Sequence, residues 1–160
     1  MTVRLALRAL LFTVLVPGSV LFWGPYYLIA GTARFAAHWP PGIGDVPALV
    51  PVAFGTLVYL MCAWRFAVEG HGTPDPWAPP RMLVTGGLYR WVRNPMYVGI
   101  PIALLGEAWW LAAPNMVIYA AIVAVAFHLR VVLYEEPVLR RLFGSAFDAY
   151  CARVRRWGVV

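Results

Sequence analysis

Residues 85–99 read TGGLYRWVRNPMYVG, and they are the point at which a chain made mostly of apolar residues becomes chemically specific. Gly86 and Gly87 loosen the backbone and permit positive φ angles. Tyr89, Arg90 and Arg93 follow, alternating with apolar residues. Asn94-Pro95 closes the stretch, Asn being a favoured helix N-cap and Pro a favoured first helical residue. A long apolar run begins at Met96, so the stretch predicts the start of a membrane helix whose unpaired N–H groups face arginines, a geometry suited to anions. The same residues also read as interfacial anchors flanking an ordinary helix start. A second cluster, Glu135-Glu136-Pro137, closes the last apolar run and favours the functional reading.

The composition around these clusters is that of an integral membrane protein. Of 160 residues, 62% are hydrophobic and 12% charged, with a mean hydropathy of +0.71. A soluble domain carries about 25% charged residues. The length allows one domain, and the apolar runs are long enough to span a bilayer. Net charge is +6, and every basic residue is arginine. The arginines fall between apolar runs and form no patch, so membrane topology explains them better than nucleic-acid binding. Cys62 and Cys151 offer neither a disulfide framework nor metal-ligand spacing.

Four spans are expected. The first runs from about Val3 to Ala30 and is preferred over a signal peptide, because its hydrophobicity outlasts an h-region and no A-x-A site follows. The second runs from about Ala48 to Val68, where Arg65 and Glu69 are spaced to pair on one helix face. The Pro- and Gly-rich connections between spans hold His38, read as interfacial, His71, whose role stays open, and Asp75 and Trp77, which could line a site although loop punctuation alone explains them. The third span, Met96 to about Ala113, contains Glu107, a functional candidate as an acid at membrane depth, although its late position favours snorkelling to the far interface. Pro114-Asn115 is expected to form a tight turn into the fourth span, Met116 to Tyr134. Arg130 should face the bundle or Glu135, and Pro137 should interrupt the helix. A tail over 138–156 has the spacing of an amphipathic surface helix, with a break at Gly144-Ser145.

The expected organisation is thus one all-α membrane domain, 1–160. Two N-terminal spans occupy 1–69, a cytoplasmic loop with the motif 70–95, a two-span hairpin 96–134, and a cytoplasmic tail helix 135–160. With four spans, every arginine except Arg34 falls on one side, so the positive-inside rule puts both termini and both clusters in the cytoplasm. The expected location is a bacterial inner membrane.

The hairpin brings the start of the third span to the end of the fourth, so arginines and free N–H groups meet two carboxylates. A zwitterionic ligand with a carboxylate, a cationic centre and ribose hydroxyls would match both. The acids also read as favourable N-terminal residues of the tail helix.

Gly87, Tyr89, Arg93, Asn94, Pro95, Met96, Tyr97 and Gly99, followed by Glu135-Glu136-Pro137 and a tail F-G-x-x-F-x-x-Y from Phe143 to Tyr150, resemble the isoprenylcysteine carboxyl methyltransferase family, related to the phospholipid methyltransferases. The resemblance covers roughly 86–157. It implies S-adenosylmethionine bound between the last two spans and the tail, with a lipophilic acceptor entering from the bilayer. It further implies that Gly87, Tyr89, Arg93, Asn94, Pro95, Tyr97, Gly99, Glu135 and Glu136 contact the cofactor or order its pocket, with Arg93, Glu135 and Glu136 taking part in catalysis. Many relatives have His at the position of Asn94; Asn cannot titrate, so here it can only orient. Membrane sterol reductases using NADPH are similar around an R-H-P-N-Y-x-G element, from which Asn94 and Met96 depart. A non-enzymatic membrane subunit would explain the apolar runs but not the acid pair.

Overall fold

A computed structural model describes residue 15 and residues 17–29, 42–68 and 82–158. Half of the first expected span, along with Arg34, His38, Glu69, His71, Asp75 and Trp77, lies outside the described residues. Those described are helical or in turns, with no strand among them. A π-helical turn, Ser19–Trp23, leads into α1 (Gly24–Ile29), and a 3₁₀ turn, Ile43–Ala48, leads into α2 (Leu49–Val68). A second 3₁₀ turn, Gly87–Arg90, precedes α3 (Pro95–Trp110) and α4 (Pro114–Arg130). A π-helical segment, Val131–Glu135, then joins α4 to α5 (Glu136–Phe143), and α6 (Ser145–Arg153) follows.

The central helix is α3, packed on α2 along one side and on α4 along the other. Glycines set the distance between α2 and α3. A Cβ on Gly99 would lie 2.8 Å from the Gly55 carbonyl oxygen, and one on Gly106 would lie 2.8 Å from the Val52 nitrogen. Small residues at such crossings let backbones approach closely enough for dispersion to hold apolar helices together without a solvent-driven term. Ile100, Ala103 and Leu104 of α3 share one buried apolar cluster with Met116 and Ala120 of α4.

The outside of this bundle is as apolar as the inside. Val50, Phe54, Leu57, Met61 and Trp64 form an exposed stripe along α2, and Ile118, Ile122, Val125 and Leu129 form one along α4. Stripes of this length have no water-compatible reading in a lone chain and are the faces that hydrocarbon covers. Two helical stretches, Ile43–Phe66 and Pro114–Phe143, are long and apolar enough to cross a membrane. The fold is that of an all-α membrane protein.

Two local expectations are corrected. The tight turn before the fourth span is formed by residues 111–113, where Ala112 takes a positive φ of 47°, and Pro114 is already helical, at a position where its missing N–H is not needed. Nor does Pro137 stop the helix. The Glu136 N–H bonds to the Val131 carbonyl five residues back, so the widened turn makes room for the proline ring, and the helix continues to Phe143. The expected break at Gly144 is present, with φ 50°. Beyond it α6 folds back, burying Phe147, Tyr150 and Val154 against Leu83, Leu139 and Phe143.

Candidate functional site

The loop before α3 is held from two sides. Gly87 has φ 59°, in the left-handed region that favours glycine, and a Cβ there would sit 2.9 Å from Arg65 Nε. Tyr89 is buried, edge-on to Phe66, and its carbonyl accepts the Tyr150 hydroxyl at 2.6 Å. Burial pushes both phenols up, well above the usual range for Tyr89 and against the opposing pull of Arg93 for Tyr150. Both therefore stay protonated donors. Through Tyr150, the returning tail fixes the position of the loop.

The tail then straps the start of α3. The Arg93 N–H donates to the Arg155 carbonyl at 2.9 Å, and Asn94 Nδ2 donates to the Arg156 carbonyl at 3.2 Å. Asn94 stands at the N-cap position without making a side-chain cap. Its amide is spent on the tail instead, which corrects the capping role expected from its type. Trp157 Nε1 donates to His128 Nδ1 on α4 at 3.1 Å, tying the strap across the bundle.

Under the strap the two sequence clusters meet. Arg93 Nη1 lies 3.1 Å from Glu136 Oε1. Arg156 grips the same carboxylate with two parallel bonds, Nε to Oε1 at 2.7 Å and Nη2 to Oε2 at 2.8 Å. Arg93 also donates to the Cys151 sulfur. Burial raises the Cys151 thiol more than Arg93 lowers it, so it remains a neutral thiol at ordinary pH. Glu135 turns the other way: its Oε1 accepts Arg130 Nε at 3.0 Å and the Tyr97 hydroxyl. The π-helical segment makes this pairing possible, because widening the turn brings residues five apart closer to one face than an α-helix would. Tyr97 in turn packs on Phe127, with ring centroids 4.5 Å apart.

Among these contacts, Arg93 Nε is buried and has no hydrogen-bond partner. A buried unpaired donor is destabilising by about 1–3 kcal/mol and is rare in a settled fold. Arg93 itself stands two residues before Pro95, the first residue of α3, a helix whose first N–H groups have no carbonyl within it. An orphaned guanidinium N–H beside a helix N-terminus fits an anionic group such as a carboxylate.

Arg93, Asn94, Tyr97, Glu135 and Glu136 are thus brought together, with Pro95 buried beneath them as the first residue of α3. Gly87, Tyr89 and Gly99 are not part of this cluster: Gly87 and Tyr89 pack toward the end of α2, and Gly99 faces Gly55. Sequence reasoning missed Arg156 and Cys151. Both lie in a stretch whose arginines look interchangeable, and only the fold-back of α6 selects one of them for Glu136.

Residues 46–146 match the family model described as phospholipid methyltransferase. The chain belongs to the phospholipid methyltransferase family. The match takes in α2, the motif loop, the α3–α4 hairpin and α5, and stops just after the Gly144 break. Curated relatives include a protein named probable protein-S-isoprenylcysteine O-methyltransferase from Oryza sativa subsp. indica, 33% identical over 72 residues. Another, protein-S-isoprenylcysteine O-methyltransferase B from Arabidopsis thaliana, is 36% identical over 72 residues. These stretches cover 45% of this chain and 38% and 36% of those proteins, so the chain matches well under half the length of each relative. No solved structure matches.

Proposed function

We propose that this chain is a membrane methyltransferase that uses S-adenosylmethionine and methylates a lipophilic acceptor at the end of the α3–α4 hairpin. The observation that carries this reading is the buried, unpartnered Arg93 Nε beside the N-terminus of α3, within a family named for methyl transfer. When bound, the cofactor supplies a methyl group activated on a sulfonium. Arg93 and the first N–H groups of α3 would hold its carboxylate. Glu135, with 24% of its side chain exposed, is the more open of the two acids and would face a cationic centre or a hydroxyl.

Positioning is most of what the protein must contribute to an in-line displacement. Asn94 cannot take a proton and here is committed to the tail. Glu136 is engaged by two guanidinium groups and is a poor base. An acceptor that arrives as a carboxylate or thiolate needs no base, and for a protonated amine only Glu135 is placed to take the proton. The exposed stripes on α2 and α4 support an acceptor that arrives through the bilayer.

The test uses purified protein. S-adenosylhomocysteine should raise its melting temperature while NADPH should not. Incubation with radiolabelled S-adenosylmethionine and a total lipid extract should then send label into the organic phase. Stabilisation by NADPH alone would overturn the methyltransferase reading; label only in water-soluble products would overturn the lipophilic acceptor and leave methyl transfer intact.

A further inference from the structure

Resting on the methyltransferase reading above, we infer that Arg156 is a positioning residue: by holding both oxygens of Glu136 it keeps Arg93 open to the carboxylate of an incoming ligand. The Glu136 carboxylate has two oxygens and two guanidinium neighbours. Arg156 takes one bond to each oxygen, whereas Arg93 reaches only Oε1, at 3.1 Å and through a single nitrogen. The paired fork is the stronger arrangement for guanidinium and carboxylate. With that fork occupied by Arg156, Arg93 gives Glu136 a single nitrogen, which also donates to the Cys151 sulfur, and its Nε remains buried without a partner.

Removing the Arg156 side chain changes this balance. With Arg156 in place Glu136 is only 8% exposed, and Arg93 is the other cation against it. A buried carboxylate that has lost one cation closes onto the one that remains. Glu136 and Arg93 would then form the two-bond pair themselves, occupying the donors that an external carboxylate needs. The tail itself stays anchored, since its ties to residues 93 and 94 run through the carbonyls of Arg155 and Arg156 and not through the Arg156 side chain. The effect is thus specific to ligands carrying a carboxylate.

That specificity gives the test a readout that a merely structural role would not move. Calorimetry on the purified protein compares S-adenosylhomocysteine, which has the amino-acid carboxylate, with 5′-methylthioadenosine, which lacks it. Arg156→Ala should weaken S-adenosylhomocysteine by about tenfold or more, the scale of one charge-assisted hydrogen bond, and leave methylthioadenosine within about twofold of wild type. Arg156→Lys, which restores the charge without the fork, should fall between wild type and the alanine variant for S-adenosylhomocysteine. Equal binding of S-adenosylhomocysteine by wild type and Arg156→Ala overturns the inference while the methyltransferase reading stands. Equal weakening of both ligands, in the alanine variant or, should that not fold, in the lysine variant, also overturns it by making the role purely structural. Failure of the wild type to bind either ligand removes the methyltransferase reading and this inference with it.

Discussion

Arg93 combines a backbone and a side-chain role that separate on mutation. Its N–H is part of the strap, bonded to the Arg155 carbonyl, and any residue but proline keeps that bond. Its guanidinium pairs with Glu136 and leaves one buried donor unsatisfied. In Arg93→Ala the strap survives and Glu136 keeps its two bonds to Arg156, so the fold should tolerate the change. Binding should not: loss of a charged donor to a carboxylate weakens S-adenosylhomocysteine by about 2 kcal/mol or more, roughly 30-fold. Calorimetry showing wild-type affinity would mean that the orphaned donor serves no ligand. Cys151, beside the same guanidinium, is easily mistaken for a nucleophile; burial holds it as a thiol and makes it a packing neighbour of Arg93.

At the scale of elements, the α2–α3 contact and the π-helical segment do most to place these residues. Gly99 lies six residues after Arg93, and its hydrogen meets the Gly55 backbone. Gly99→Val puts two methyl groups where a single Cβ already falls 2.8 Å from a carbonyl oxygen, which neither backbone can yield cheaply. Overpacking of this kind is destabilising by about 1–3 kcal/mol. The variant should melt at lower temperature in detergent than wild type, and S-adenosylhomocysteine binding should weaken with it as α3 is displaced. An unchanged melting temperature would show that the two helices separate freely. The π-helical segment acts by phase instead: its extra residue lets Glu135 meet Arg130 and Tyr97 while Glu136, next in sequence, points to Arg93 and Arg156.

Across the whole molecule, polar features concentrate at one end of the bundle. Arg65 packs on Gly87 near the C-terminal end of α2, and Gly106 packs on Ala48 and Val52 near the N-terminal end, so the cluster and Asp45 lie at opposite ends of the same helices. With arginines gathered around the cluster, we propose from the positive-inside rule that this end faces the cytoplasm. In a background lacking Cys62 and Cys151, Asp45→Cys and Arg153→Cys should therefore react with a membrane-impermeant thiol reagent from opposite sides of sealed vesicles. Labelling of both from one side would remove the spanning arrangement.

How much of this was legible in advance depends on the range of the interaction. Composition, the helical character of the apolar runs after residue 48 and the Gly144 break are local properties, set by apolar runs and punctuation, and they were readable in the residues themselves. So was the meeting of the motif with the acid pair, because a short connection between two apolar runs forces antiparallel neighbours. The places where the reading failed are those where a distant segment competes with a local preference. Asn94 has the chemistry of a cap, yet the Arg156 carbonyl, 62 residues away, takes its amide. Pro137 has the chemistry of a helix breaker, yet a widened turn accommodates it because Glu135 and Glu136 are each held by partners on other segments. The tail arginines are alike as residues, and only the fold-back of α6 gives Arg156 a buried carboxylate and leaves Arg153 and Arg155 exposed. The sequence by itself determined a helical membrane protein with arginines and acids at one end. Tertiary structure alone decided which arginine holds which acid, because that choice depends on distances between segments far apart along the chain.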